Sequence, residues 1–494
     1  MPKSTTEMAT VTQPLPETAA APATPDDCVI VIFGGSGDLA RRKLLPGLFH
    51  LHQAGLMPAE FRIVGCSRNE LADDEFRALA RSAVDQFGRM PTDDEHWDPF
   101  ARLLSYVGAA DGLERLRSTV TEAQREIGGR PRLLHYASVP PAAAPGIIDE
   151  LRKTGLNEDA RVIMEKPFGT DLASSRSLNA TVLAAFHESQ IFRIDHFLGK
   201  EAVQNILALR FANGMFEPVW NRNHINHVEI DVPETLSIGT RAGFYEHTGA
   251  FRDIVVTHLF QVLGFVAMEP PTTLTPDMLA AEKTKVFDAM PPLDPGDVVR
   301  GQYDGYRRED GVAPDSDTET FVAVRARVDN WRWSGVPFLL RTGKRMAESH
   351  QRLTLAFKKP PRRMFPVDSH YLMEWFGCDH LTFELGDPGT ISLHFLGKVP
   401  GPTMDLGEAH MDFSYATAFG GDEHALKAYE RLIHDVMIGD RTLFNTSAGI
   451  ERLWEVSAPV LDHPPPLMRY APGSWGPAPA ADLFWPHTSH LPTE

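Results

Sequence analysis

The chain has 494 residues, 43% of them hydrophobic and 23% charged, and a formal net charge of −18. That length exceeds one compact core and points to two or three domains. The acidic balance argues against general binding to nucleic acid or anionic membranes, which need a basic surface. A local cluster of Lys, Arg and His around an anionic small molecule stays open. The three cysteines, Cys28, Cys66 and Cys378, are few, odd in number and far apart. They form no zinc spacing, so no metal site is expected, and they suit a reduced, cytoplasmic protein without structural disulfides. No apolar run has the length of a membrane span, and the N-terminal stretch lacks the apolar core of a signal peptide.

Residues 1–27 are rich in Pro, Ala and Thr and are expected to be disordered. The apolar run from Val29 to Phe33 then reads as a buried parallel strand. A Gly-rich turn follows, and after it a helical stretch with Leu44, Leu45, Leu48 and Leu51. FRIVGCSRNEL is a second strand ending at Gly65, and RLLHYASVPP (132–141) and ARVIMEKPFG (160–169) supply two more strand ends. This strand–helix alternation predicts a Rossmann-like, doubly wound dinucleotide-binding domain over residues 28–195. From residue 196 to 494 the pattern changes. HVEIDVPE, TFVAVRARV, PFLLRTGK, RLTLAFKK, HLTFEL and TISLHFLGK are β-rich segments without crossover helices. They predict a larger β+α domain with a mostly antiparallel sheet, covered by helices on one face and open to dimerisation on the other. Gly386-Asp387-Pro388-Gly389 is expected to turn a hairpin. A Pro/Ala-rich tail follows about residue 464.

Gly34, Gly37 and Ala40 after the first strand have the spacing of a phosphate turn. Small residues there let the backbone approach a pyrophosphate at a helix N-terminus. The second strand ends in Gly65-Cys66-Ser67-Arg68-Asn69, and its first acid is Glu70. An NAD site usually has an acid at the tip. Arg68 would instead pair with a 2′-phosphate, helped by Lys43, which favours NADP; otherwise Arg68 is a solvated loop cation.

FRIDHFLGKE, residues 192–201, stacks both charge signs around a histidine. If a helix begins near His196, then His196 and Lys200 share one face and form a phosphate site. Asp195 would point elsewhere, for example to orient a distant imidazole. A helix starting at Gly249 carries Asp253 and His258, which five residues of α-helix would set about 140° apart. Glu234, Lys166 and Lys344 each end a strand-like run, where α/β sites collect their chemistry.

GGSGDLARRKLLP, EKPFG, RIDHFLGKE, the G-x-x-R-D-x-x-x-x-H stretch from Gly249 to His258, and RTGK occur in this order. On them the chain, from about residue 28 to 463, resembles the glucose-6-phosphate dehydrogenases. The resemblance implies oxidation of glucose 6-phosphate at C1 with NADP, by a homodimer or homotetramer. It implies that His258 is the general base and Asp195 its orienting carboxylate. His196 and Lys200 would bind the 6-phosphate, and Glu234 and Asp253 the sugar hydroxyls. Lys166 would lie between substrate and cofactor, its bond to Pro167 cis, and Lys344 would reach the sugar. Gly34, Ser36, Gly37, Asp38 and Leu39 would form the phosphate turn, with Arg68 at the 2′-phosphate. Two positions depart from the family: Phe197 replaces a usual tyrosine, and Ser349, before His350, replaces a usual Lys or Arg. They motivate a different sugar, such as another hexose phosphate or free glucose, as the alternative substrate. A non-enzymatic dinucleotide sensor is the third reading; loss of His258 or Asp195 would have been its mark, and both are present.

Overall fold

Two sheets organise the chain in the computed structural model, which describes residues 24–89, 92–108, 112–362, 364–365, 379–386, 389–419 and 426–486. Most of the N-terminal stretch expected to be disordered, Cys378, and Asp387 and Pro388 of the expected hairpin lie outside the described residues. The first sheet holds β1 (Cys28–Phe33), β2 (Phe61–Ser67), β3 (Leu104–Gly108), β4 (Arg132–Ala137), β5 (Arg161–Met164) and β6 (Ile191–Arg193). Its order is β3-β2-β1-β4-β5-β6, and every pairing is parallel. All six residues of β1 are buried, as a strand covered on both faces requires. The order reverses direction between β1 and β4, which opens a crevice at the carboxyl ends of these strands. The expected Rossmann-like layer is present. β3 and the three-residue β6 had no clear strand pattern of their own.

The second sheet holds β7 (Ile225–Pro233), β8 (Val298–Tyr303), β9 (Phe321–Arg327), β10 (Pro337–Gly343), β11 (Arg352–Phe357), β12 (His380–Glu384), β13 (Thr390–Lys398), β14 (Leu406–Ser414) and β15 (Leu467–Tyr470). Their order is β14-β13-β12-β11-β7-β10-β9-β8-β15. Pairings are antiparallel except β7 with β10 and β8 with β15. The six expected segments supply β7 and β9 to β13; β8, β14 and β15 were not anticipated. Alternation along β7 turns Val228, Ile230 and Val232 to the apolar core and His227, Glu229 and Asp231 to the other face. There Arg341 donates to both oxygens of Asp231, at 2.8 and 2.6 Å.

A helical stretch, Ala242–Ala267, kinked at Gly249, packs on the apolar face. It is long and apolar enough to cross a membrane, contrary to the reading of the bare sequence, but 89% of its apolar window is buried inside the protein. A helix apolar all round is expected at the centre of a large core. The helices Ala428–Ile438 and Ser447–Asp462 fold back on the first sheet's domain. Arg161 donates to the carbonyls of Val436 and Met437, and the Trp454 indole donates to Phe168 O. The ends of β5 and β6, the central helix and these helices therefore meet at one place.

Candidate active site

The crevice at the end of β1 is a cleft of about 1090 Å³. Gly34 has φ +81°, and a Cβ there would lie 2.0 Å from the Ser138 carbonyl oxygen. The Gly37 N–H donates to Gly34 O at 2.8 Å, closing the turn before the helix. Gly34, Ser36, Gly37, Asp38 and Leu39 line the cleft, as do Arg68 and Lys166. Arg68 has no acidic partner among the described residues. The Glu70 carboxylate is packed against Gly108 and lies outside the cleft lining. This donor set fits a phosphorylated dinucleotide: backbone N–H groups for the pyrophosphate and a free guanidinium for a 2′-phosphate. Lys43 lies outside the lining. It is exposed on the helical turn Ala40–Leu44.

Asp195 and His258 meet at the junction of the domains. His258 Nδ1 lies 2.6 Å from Asp195 Oδ1, and both side chains are fully buried. Asp195 Oδ1 also accepts the Phe197 N–H at 2.9 Å, which fixes the carboxylate. His258 Nε2 is buried without a hydrogen-bond partner among the described residues. Burial pushes the Asp195 carboxyl up, but His258, His196 and the Phe197 N–H outweigh it and hold it below its ordinary value. Burial lowers His258, and Asp195 only partly offsets this. The pair therefore rests as carboxylate and neutral imidazole, a form able to take a proton at Nε2. Phe197 stacks on the His258 ring at 4.5 Å and 9°, so the residue that departs from the family supports the imidazole face.

Asp253 and His258 are closer than α-helical geometry allowed. Residues Phe251–Leu259 form a π-helix, in which residue i bonds i+5. One turn then separates the two residues, where an α-helix would splay them, and the Asp253 carboxylate acts electrostatically on His258. Lys166 Nζ donates to Asp253 Oδ1 at 2.7 Å. Lys344 Nζ donates to Glu234 Oε2 at 2.5 Å. The Lys166–Pro167 bond is cis.

The helix expected to begin near His196 needs correction. The helix starts at Glu201, not near His196. Turns precede it, with the Leu198 N–H on Asp195 O and the Lys200 N–H on Phe197 O. His196 and Lys200 therefore share no helix face. His196 is also not a resting cation: burial, then His258, hold its imidazole well below the ordinary range. Lys200 sits over the Phe197 ring at 4.5 Å and bonds Gln351. Ser349 Oγ accepts the Thr235 N–H at 2.7 Å, so it braces the strand end next to Glu234. Asp195, His196 and His258 each place one atom of metal-ligand type within 4.8 Å of the others, although Asp195 and His258 spend their facing atoms on each other. Sequence reasoning missed Glu165, Arg241, Phe244 and Tyr429, which also line the cleft. Only Glu165, beside Lys166 in EKPFG, had a local signal.

Residues 31–205 match the family model described as glucose-6-phosphate dehydrogenase, NAD binding domain, and residues 207–490 match its C-terminal domain. The chain belongs to the glucose-6-phosphate dehydrogenase family. A relative in this family, glucose-6-phosphate 1-dehydrogenase 2 of Mycobacterium tuberculosis, is 39% identical over 92% of this chain and 93% of its own length. The crystal structure of glucose-6-phosphate 1-dehydrogenase from Mycobacterium avium is 38% identical, with a TM-score of 0.81 over 93% of this chain and 97% of that one. A glucose-6-phosphate dehydrogenase in complex with its substrate glucose-6-phosphate has a TM-score of 0.85 at 30% identity, over 93% of this chain and 98% of that one.

Proposed function

We propose that the protein oxidises glucose 6-phosphate at C1 to 6-phosphogluconolactone with NADP, the first step of the oxidative pentose phosphate pathway. The observation that carries this is the buried His258–Asp195 pair with its unpartnered Nε2, beside a dinucleotide cleft. NADP, held by Gly34, Ser36, Gly37, Asp38, Leu39 and Arg68, supplies the acceptor for the hydride that leaves C1. His258 Nε2 takes the proton of the C1 hydroxyl as the C1–O bond becomes a carbonyl. Asp195 keeps the proton of Nδ1 in place and stabilises the imidazolium that forms. Glu234 and Asp253 accept hydrogen bonds from sugar hydroxyls, exchanging part of their pairing with Lys344 and Lys166 for the substrate. Lys166 and Lys344 then donate to the sugar. Lys200, released from Gln351, and His196 hold the 6-phosphate. A phosphate dianion beside His196 draws its pKa back up, because an opposite charge favours the protonated form.

The protein works as a homodimer or homotetramer in the cytoplasm. Cys28 and Cys66 form no disulfide among the described residues, which suits a reducing compartment. Exposed Leu396 and Met411 on β13 and β14 offer an apolar surface for pairing.

The test is nicotinamide reduction, followed by absorbance, with glucose 6-phosphate and free glucose against NADP and NAD. Fast reduction of NADP with glucose 6-phosphate is expected. Preference for free glucose would assign the changes at Phe197 and Ser349 to a different substrate and overturn the proposal. Preference for NAD would remove Arg68 from its role.

A further inference from the structure

One buried carboxyl faces the same cleft and takes no part in the steps above. Glu165 follows β5 and precedes Lys166. The Tyr136 hydroxyl, on β4, donates to Glu165 Oε1 at 2.7 Å. The Tyr429 hydroxyl, on the helix Ala428–Ile438, faces the same carboxyl closely enough for each to shift the other's titration. Glu165 and Tyr429 both line the cleft. The Tyr429 ring lies parallel to His196, with centroids 6.2 Å apart and planes at 10°. His196 meets His258 edge-on at 4.8 Å. A chain of contacts thus runs from β4 through Glu165 and Tyr429 to the imidazole of His258.

We propose that Glu165 is a positioning residue: gripped by Tyr136 and Tyr429, its carboxylate holds the Tyr429 ring over His196 and so shapes the end of the cleft nearest His258. The two tyrosines differ in origin, since Tyr136 belongs to the first sheet and Tyr429 to a helix of the second domain. Glu165 therefore ties the two domains together where cofactor and sugar must meet. An ionised carboxylate accepts from both hydroxyls more strongly than a protonated one, which has less acceptor capacity and an O–H of its own to satisfy. Burial pushes Glu165 up to about 7, Asp195 adds to the rise, and Tyr136, Lys166 and Tyr429 oppose it. The grip consequently loosens as pH falls through neutrality.

This rests on the proposed function, so its test is read in two ways. Glu165→Gln, Tyr429→Phe and the double variant are compared with wild type in steady-state kinetics. The dissociation constant for NADP is also measured by calorimetry without sugar. Each single variant is expected to lower kcat/KM for NADP about tenfold or more, to weaken NADP binding about threefold and to raise KM for glucose 6-phosphate about threefold, since the Tyr429 ring lies against His196. The double variant is expected to be no worse than the worse single one, because both changes act through one contact. Lowering the pH from about 8 to 6 should weaken NADP binding more in wild type than in Glu165→Gln. Melting curves show which variants are folded, and Tyr429→Phe, which removes one oxygen, stands if Glu165→Gln does not fold. Additive losses, or wild-type values in both readouts, would overturn the proposal. If wild type oxidises no glucose 6-phosphate, the functional reading fails, while the calorimetric cycle still decides the role of Glu165.

Discussion

His258 owes its chemistry to what surrounds each ring nitrogen. Nδ1 is committed to Asp195 at 2.6 Å; Nε2 is buried with no partner among the described residues. An unpaired buried nitrogen costs free energy unless a ligand satisfies it, so this atom marks where a hydroxyl belongs. Burial depresses the histidine from its ordinary 6.5 more than Asp195 restores it. A base must be unprotonated to act, so turnover falls only as pH drops through this lowered value. The acid limb of the kcat/KM profile for the sugar phosphate is expected below pH 6.5. A limb centred above that value would contradict the balance of burial over Asp195. Asp195→Asn should move the limb further down, because the group that raises His258 is gone.

At the scale of elements, the π-helix decides the site. Before it lies Gly249, with φ 61° and ψ −179°, a region that side chains other than hydrogen do not adopt without strain. A Cβ there would come within 2.3 Å of Glu319 Oε1, the oxygen that accepts the Phe251 N–H at 3.1 Å. Gly249→Ala should therefore cost about 1–3 kcal/mol in backbone strain, together with loss of the Glu319 bond. The expected outcome is a lower melting temperature and reduced turnover, because Asp253 and His258 shift together. An unchanged melting curve would refute this. Elements of this kind limit what the sequence can show. The buried run of β1 and the alternating strands β7 and β9 to β13 were legible, because periodicity reports burial directly. Strand ends singled out Lys166, Glu234 and Lys344 as candidates. The i to i+5 bonding of Phe251–Leu259 was not legible, since no residue pattern distinguishes it from an α-helix. Nor was the late start of the helix at Glu201, where the N-cap position is Lys200, which makes no side-chain cap bond, while the one good capping residue, Asp195, lies a turn and a half earlier. Tyr429 reaches the cleft only because its helix packs back across the domain junction.

For the molecule as a whole, the site exists only when both domains are in place. Asp195 follows the last strand of the first sheet, His258 comes from the core helix of the second domain, and Lys166 reaches across to Asp253. Interdomain bonds hold this arrangement, among them Arg161 to Val436 O and Met437 O and Asn179 to Glu451 at 2.7 Å. The net charge of −18 makes the local cations Arg68, Lys166, Lys200 and Lys344 stand out as the places for anionic and hydroxyl-rich ligands. The measurement that tests the account most directly is the turnover of His258→Asn, with NADP and glucose 6-phosphate binding followed by calorimetry in the same variant. Turnover should drop by about 10²–10⁴ with both affinities little changed, because a general base acts in the transition state. Near-normal turnover in a variant that binds both ligands would contradict it, and the proton would have to leave by another group.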